Sequence, residues 1–235
     1  MRERYVIIPA GGTGSRMGSE LPKQMLDLCG KPVLRWTVEL FLSQPFEVRI
    51  IISINESIKD MWLEYCYENN FVFPHVLVTG GFTRFHSVRK AMKYLPEGAS
   101  VAVHDGVRPL LRLGDIAALY DEAEEYPAVV PVIPVADSMR TFSAGSAQDG
   151  TEWGVSRIVD RSIYRLVQTP QVFHTEVLKR AYGQPYSREF TDDASVVEKN
   201  GVPLHFCQGS RFNIKLTAPD DMALAAALID SGCLR

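Results

Sequence analysis

A glycine-rich segment near the N-terminus combines residue types that bind and neutralise phosphate. Residues 9–18 read PAGGTGSRMG, and Lys23 follows Arg16 by seven positions. Backbone N–H groups of a loop without Cβ atoms approach a polyphosphate closely, and two cations beside it suit a reaction that builds charge on phosphoryl oxygens. The pattern is neither a dinucleotide fingerprint, whose last glycine falls on Met17, nor a P-loop, because Lys23 follows Pro22. A plain strand–helix turn with solvated cations is the alternative.

The segment 103–109, VHDGVRP, places an acid and an arginine after a predicted buried strand. In open α/β sheets, ligands bind outside the carboxyl ends of the strands. Asp105 is a natural Mg²⁺ ligand there, since Mg²⁺ prefers one or two carboxylates together with phosphate oxygens. Arg108 is placed to clamp a phosphate with both arms of its guanidinium. The alternative is a salt-bridged turn ahead of Pro109.

Two further segments add polar groups to the candidate site. The glycine pair that ends at Gly81 precedes a predicted helix, so a base can lie against this backbone with Ser87 on the first turns. Asn213 and Lys215 alternate within a predicted strand, 212–216, so both are expected on one face. A plain strand–helix junction and an edge strand with a solvated lysine are the respective alternatives.

These segments are expected to be positioned by a sheet of mostly parallel strands. Apolar β-branched runs predict buried strands, and amphipathic stretches between them predict helices in right-handed crossovers on both faces of the sheet. The predicted strands are 5–8, 48–54, 76–78, 100–104 and 128–133. The predicted helices begin at Pro32, run from a Ser57 cap to Asn70, from Thr83 to Leu95, and from Leu113 to Tyr126.

The alternation of strands and helices breaks in the second half of the chain. Residues 137–160 are polar and rich in Gly and Ser, with two short alternating runs around a turn-rich centre, which predicts a projecting β-hairpin. An isolated hairpin is marginal in water, so this one is expected to lie against another surface, such as a second subunit. Asp192 or Thr191 is predicted to cap a helix that Gly201 ends. No linker divides the chain, so residues 1–235 form one predicted domain.

Composition and charge exclude several classes of function. The 25 Lys and Arg residues against 28 Asp and Glu give a formal charge of −3, which disfavours generic nucleic-acid binding, since that needs an excess of basic side chains. The sequence has no stretch of about 18 apolar residues that predicts a membrane span, and residues 1–6 lack the features of a signal peptide. The four cysteines form no CxxC pair and are expected to be reduced thiols of a cytoplasmic protein.

The motifs together resemble a known family. Residues 9–17, followed by 22–24, look like the signature of nucleotidyltransferases that activate sugar or polyol phosphates. Four more segments narrow the resemblance to the 2-C-methyl-D-erythritol 4-phosphate cytidylyltransferase family: 103–109, 169–171, 191–195 and 213–217. The resemblance covers essentially the whole chain. It implies a Rossmann-like sheet and a homodimer joined by exchanged hairpin arms, 137–160.

The reaction implied by the resemblance transfers CMP from CTP to 2-C-methyl-D-erythritol 4-phosphate, with Mg²⁺, and releases pyrophosphate. Ribitol-5-phosphate cytidylyltransferases have closely similar motifs and remain an alternative, as does a non-catalytic nucleotide-binding module. Three positions depart from the family's usual pattern: Phe82 and Phe212 stand where acids are common, and Ser138 stands where threonine is common.

The resemblance also implies roles for individual residues. Arg16, Lys23 and Lys215 are the implied catalytic cations, the first two acting on the α-phosphate and the leaving pyrophosphate. The implied nucleotide site consists of Ala10, Gly11, Gly12, Gly14, Gly81, Ser87 and Asp105. The implied polyol phosphate site consists of Asp105, Arg108, Thr169 and Lys215, with Ser138 and Arg161 reaching over from a second subunit. Asp105 is the implied Mg²⁺ ligand.

Overall fold

A mixed sheet of eight strands forms the centre of this computed structural model, which describes residues 1–12, 21–142 and 155–234. Twelve strands lie in those residues: β1 (Arg4–Ala10), β2 (Asp27–Leu28), β3 (Lys31–Pro32), β4 (Arg49–Ile54), β5 (His75–Thr79), β6 (Ser100–Val103), β7 (Ala128–Pro134), β8 (Met139–Phe142), β9 (Ser156–Val159), β10 (Arg165–Val167), β11 (Gln171–His174) and β12 (His205–Gln208). The same residues contain seven α-helices: α1 (Val33–Leu42), α2 (Glu56–Glu68), α3 (Arg84–Ala91), α4 (Leu113–Glu122), α5 (Thr175–Ala181), α6 (Asp193–Lys199) and α7 (Pro219–Asp230).

The central sheet runs in the order β10-β7-β11-β6-β1-β4-β5, and β12 also pairs with β7. The half around β1 is parallel, since β1 pairs in parallel with both β4 and β6, and β4 does so with β5. Ile7 of β1 lies opposite Ile51 of β4 and Val103 of β6. The predicted mostly parallel α/β sheet is confirmed. The antiparallel strands β10 and β11 are additions that the sequence pattern misses.

Successive residues of β1 are buried on opposite faces of the sheet because helices cover both. Ile7 packs in a cluster with Val88 of α3. Ile8 packs in a second cluster with Val38 of α1 and Trp62 of α2. Both isoleucines are fully buried, which explains why this strand reads as a continuous apolar run rather than an alternating one. Packing on both faces of the sheet therefore holds β1 in place, including its carboxyl end.

Local capping decides where the helices begin. Asp192 caps α6 in a capping box with Ser195, which confirms one of the two predicted caps. Pro32 occupies the N-cap position of α1, so the helix begins at Val33, one residue later than predicted. The predicted Ser57 cap of α2 is wrong, because Asn55 takes that position directly after β4 and Ser57 already lies inside the helix.

The predicted hairpin is present in its two described strands. β8 pairs antiparallel with β9, from Met139 opposite Val159 to Phe142 opposite Ser156. The pair forms a separate two-stranded sheet, and Ile158 on it is 82% exposed. Residues 143–154, which join the two strands in the sequence, lie outside the described residues. The role of the arm in dimerisation stays a prediction.

Residues 212–216 do not form the predicted strand. The segment instead follows the loop after β6, where Leu216 donates its backbone N–H to the carbonyl oxygen of Val107. Asn213 is 2% exposed, whereas the side chain of Lys215 is 41% exposed. Because the segment is not a strand, the alternation that predicts a shared face does not apply to it. Pairing with an irregular loop does not extend into a ladder, although the alternating residue types imitate one.

His104 is fully buried directly after β6 and joins two loops at the edge of the sheet. Its Nε2 lies 2.9 Å from the carbonyl oxygen of Arg108, and its Nδ1 lies 3.1 Å from Oγ1 of Thr169. A carbonyl oxygen can only accept, so the neutral ring carries its proton on Nε2 and its Nδ1 accepts the hydroxyl proton of Thr169. Oγ1 of Thr169 also accepts the N–H of Asp105. Burial lowers the pKa of His104 to about 4.

We expect the chain to lose stability as the pH falls below about 6.5, the ordinary pKa of histidine. The unfolded state takes up a proton on His104 there, whereas the folded state does not until about pH 4. The free energy of unfolding in urea should drop by about 2 kcal/mol between pH 7.5 and pH 5. His104→Asn should be less stable at pH 7.5 but lack this dependence. An unchanged slope in the variant contradicts the assignment.

Candidate active site

A cavity of about 340 Å³ opens at the carboxyl ends of β1, β5 and β6. Parallel strands bring these ends to one edge of the sheet, where α/β proteins bind ligands. Ala10 ends β1 there and is buried. The cavity wall gathers seven of the residues that the sequence predicts for the site: Gly11, Gly12, Lys23, Gly81, Ser87, Asp105 and Lys215.

The described part of the glycine loop packs against the short turn Lys23–Met25. Gln24 is buried and donates its Nε2–H to the carbonyl oxygen of Gly12 over 3.0 Å. A Cβ atom on Gly12 would come within 3.8 Å of Cε of Lys23, so the lysine side chain lies against the glycine backbone. Gly14 and Arg16 lie outside the described residues, and their roles stay predictions.

A hydroxyl group shapes the turn between β5 and α3. Gly81 donates its N–H to Oγ of Ser87 at 3.0 Å, and that hydroxyl donates to the carbonyl oxygen of Thr83 at 3.0 Å. A Cβ atom at Gly81 would collide with Cβ of His86, so the turn closes only around a glycine. Ser87 therefore holds the backbone of Gly81 in place. Its predicted contact with a base stays a prediction.

Asp105 lies between cations and is 8% exposed. Its Oδ1 lies 3.0 Å from Nε of Arg84, and its Oδ2 lies 2.8 Å from Nζ of Lys215 and 3.8 Å from Nε of Arg108. Burial by itself raises the pKa of Asp105, but the three neighbouring positive charges outweigh it and hold the pKa well below its usual range. The carboxylate is therefore a fixed anion at any working pH and not a proton donor.

Arg108 and Thr169 lie behind Asp105 rather than on the described cavity wall. Arg108 donates from Nη1 to the carbonyl oxygen of Asn213 over 2.8 Å. Thr169 is 4% exposed, and its hydroxyl is shared between His104 and the N–H of Asp105. Both side chains thus support the Asp105 loop. Their predicted contacts with a substrate phosphate stay predictions.

Ser138 and Arg161 are exposed at the base of the arm, and neither lines the cavity as far as the chain is described. Arg161 donates a hydrogen bond to the carbonyl oxygen of Ala136. One chain by itself therefore does not bring these two residues to Asp105. Their predicted approach from a second subunit stays a prediction.

Two residues of this site are missed by the sequence reasoning. Arg84 lines the cavity and joins Asp105 to Asp193, whose Oδ2 lies 2.6 Å from Nη2 of the arginine. The signal for Arg84 is its place as the first residue of a helix that follows a glycine pair at the ligand edge. Asp193 has no comparable signal, because it stands beside the cap residue Asp192 and reads as a second helix-capping acid.

The residues on the cavity wall fit a magnesium ion held jointly with a substrate. The described residues contain no group of three or more His, Cys, Asp or Glu side chains placed to enclose a metal. Mg²⁺ does not need such a cage, because it takes one or two carboxylates with phosphate oxygens and water. The carboxylate of Asp105 has about four lone-pair positions, and Arg84 and Lys215 approach one oxygen each, which leaves positions for a cation.

Comparison with known proteins matches nearly the whole chain to one family. The family model described as IspD: 2-C-methyl-D-erythritol 4-phosphate cytidylyltransferase matches residues 5–231. A Bacteroides thetaiotaomicron protein of that name is 46% identical over 227 residues, which cover 97% of this chain and 100% of the relative. The crystal structure of the cytidylyltransferase of that name from Thermus thermophilus has a TM-score of 0.73 at 30% identity, covering 97% and 99% of the two chains. That of Francisella tularensis has a TM-score of 0.78 at 29% identity, covering 96% and 99%.

The sheet and the cavity at its carboxyl edge place the chain in the class of α/β nucleotidyltransferases. Within that class the chain belongs to the IspD family of 2-C-methyl-D-erythritol 4-phosphate cytidylyltransferases. The family predicted from the motifs is thereby confirmed. Among the described helices, none has the length and apolar character that crossing a membrane requires.

We expect Gly81→Ala to destabilise the chain, because the added methyl group collides with His86 and forces the turn open. The free energy of unfolding in urea should fall by about 1–3 kcal/mol, the usual cost of overpacking. The matched control is Gly114→Ala in α4, where a Cβ atom meets nothing within 4 Å. That variant should be as stable as the wild type or more stable, because alanine has a higher helix propensity than glycine. Equal effects of the two variants contradict the prediction.

Proposed function

We propose that this chain transfers CMP from CTP to 2-C-methyl-D-erythritol 4-phosphate and releases pyrophosphate. The observation that carries the proposal is the convergence of Lys23, Lys215 and Asp105 on a glycine-lined cavity in a chain of this family. CTP is the nucleotide and the polyol phosphate is the nucleophile. We place the reaction in the cytoplasm, where CTP is available, and assign no nucleic-acid or membrane partner.

The mechanism follows from charge rather than from proton transfer. A phosphate monoester dianion is already a nucleophile, so the chemistry needs no strong general base. The obstacle is the repulsion between that dianion and the triphosphate. Lys23, which lies against Gly12, and Arg16, to which the family resemblance gives the same role, offset this charge and hold the reacting groups in line.

Lys215 and Asp105 form the second half of the proposed mechanism. Their ion pair at 2.8 Å holds the ammonium group at the cavity wall, from where it can turn to an incoming phosphate of the polyol. Asp105 stays ionised, so it accepts hydrogen bonds from substrate hydroxyls. We propose that Asp105 would also hold Mg²⁺, and that the ion, when bound, would neutralise further phosphoryl charge.

We infer that the chain is one domain whose arm, 137–160, joins two copies in a homodimer. Large apolar side chains are exposed at the arm and directly after it: Ile158 at 82%, Ile163 at 74% and Leu166 at 52%. A surface of this kind marks an interaction site. A second copy that covers it carries Ser138 and Arg161 toward the neighbouring cavity, which completes the polyol site with Arg108 and Thr169 behind Asp105.

The polyol is tested by release of pyrophosphate from CTP with each candidate acceptor. The purified chain, with Mg²⁺ and CTP, should release pyrophosphate with 2-C-methyl-D-erythritol 4-phosphate and much more slowly with ribitol 5-phosphate. A preference for ribitol 5-phosphate overturns the substrate assignment. Binding of CTP without pyrophosphate release from either acceptor overturns the enzymatic proposal in favour of a nucleotide-binding module.

Removal of a loop cation should slow turnover while the fold persists. We expect Lys23→Ala and Arg16→Ala each to lower kcat by about 10²–10³, the scale for losing one charge-stabilising donor. The control is Lys199→Ala in α6, whose side chain is 63% exposed and pairs with Glu189 at 3.5 Å. Near-normal turnover in both loop variants contradicts the proposed mechanism.

The dimer should depend on the apolar surface of the arm. We expect Ile158→Asp to shift the chain from dimer to monomer in sedimentation experiments at micromolar concentration, because the charge cannot be buried against a second copy. The control is Arg140→Ala on the neighbouring strand, a polar and exposed position. A monomeric wild-type chain contradicts the dimer.

A further inference from the structure

One arginine is shared between two carboxylates at the wall of the cavity. Nε of Arg84 lies 3.0 Å from Oδ1 of Asp105, and its Nη2 lies 2.6 Å from Oδ2 of Asp193. Asp105 reaches the cavity, whereas Asp193 is fully buried and does not line it. The guanidinium of Arg84 is therefore paired with one acid that lines the cavity and with one acid that does not.

Asp193 is held in place from several sides. The hydroxyl of Tyr182, itself buried, donates to Oδ1 of Asp193 at 2.5 Å. Asp193 is the first residue of α6, whose start is fixed by the capping box of Asp192 and by Gln171, which accepts the N–H of Ala194 at 2.8 Å. These contacts hold the carboxylate of Asp193 in place outside the cavity. Arg84 is therefore tied to the protein interior and not to Asp105 alone.

The balance of charge around Asp105 depends on this second acid. Three cations, Arg84, Arg108 and Lys215, contact Asp105, and Asp193 is the second acid in contact with them among the described residues. With both acids the group has an excess of one positive charge. Without Asp193 the group has an excess of two positive charges, and Asp105 is then the one acid paired with Arg84 among the described residues. The larger positive charge then repels a divalent cation more strongly and attracts a polyphosphate more strongly.

We propose that Asp193 is a positioning residue that acts through Arg84 and sets how the cavity divides its affinity between divalent cations and polyphosphate. In its presence Asp105 keeps enough negative charge to attract a divalent cation, while Arg84 still draws phosphate oxygens. The inference rests on the proposed function in taking Asp105 as the cation ligand. A merely structural role of Asp193 predicts no such division, because loss of structure weakens both kinds of ligand.

The test is Asp193→Asn in the full chain, with two probes that need no turnover. Mn²⁺ binding is measured by the electron paramagnetic resonance signal of the free ion, and tripolyphosphate binding is measured by calorimetry in EDTA. We expect the Kd for Mn²⁺ to rise about tenfold and the Kd for metal-free tripolyphosphate to fall by a similar factor, the scale of one added charge some ten ångströms away. Weakening of both, a change in neither, or any other pattern overturns the proposal.

Two further variants make the result specific. Asp121→Asn removes an acid whose side chain is 72% exposed and near Arg4, so it changes the net charge equally and should move neither Kd by more than about twofold. Arg84→Gln combined with Asp193→Asn removes both members of the buried pair, so no buried charge is left unpaired. This double variant should bind Mn²⁺ at least as tightly as the wild type, and a loss of binding overturns the proposal even where the single variant fails to fold.

The outcome is independent of the reaction. Both probes lack a base and a polyol, so a wild-type chain that shows no cytidylyl transfer still gives both dissociation constants. Failure of the proposed function appears as absent pyrophosphate release. Failure of the present inference appears as the wrong pattern of binding, and a wild type that binds neither probe counts as such a failure.

Discussion

The ion pairs around Asp105 are the interaction on which the rest of this structure depends. A carboxylate that is only 8% exposed stays charged because Arg84 and Lys215 touch its two oxygens. An unpaired charge at that depth costs several kcal/mol, so each partner must be delivered accurately. Arg84 comes from the start of α3 and Lys215 from the irregular segment before α7. The side chains from both segments form ion pairs with this one acid.

The sheet makes these ion pairs possible because it fixes the position of the loop that carries Asp105. β6 lies beside β1 in parallel register, so the loop after β6 and the glycine loop after β1 leave the sheet together. Behind Asp105, the buried ring of His104 and the hydroxyl of Thr169 form a hydrogen-bonded chain that locks the loop. Both ring nitrogens of His104 and the hydroxyl of Thr169 are hydrogen-bonded there, so the loop that carries Asp105 is held in place. Such a preorganised edge suits chemistry in which positioning and charge do most of the work.

Much of the fold follows from local sequence. The apolar runs of β1, β4 and β6 predict buried parallel strands, since only strands covered on both faces read without alternation. The cap at Asp192 is read correctly, because a side chain that accepts a nearby N–H acts within a few residues. Residues 212–216 mislead for the same reason: alternation there is local, but Leu216 pairs with an irregular loop. β10 and β11 escape notice because they have only three and four residues, with Pro170 between them.

The sequence by itself determined the class of the site and most of its lining. A glycine loop with cations close to it is recognised from residue types and short spacings, and the motifs were sufficient to indicate the family. Only the tertiary structure decided which charges share which partner. Arg84 and Asp193 are 109 positions apart, and no local pattern encodes a contact at that separation. Ion pairs of this kind arise from the packing of whole elements, so they become visible only once the helices and the sheet are assembled.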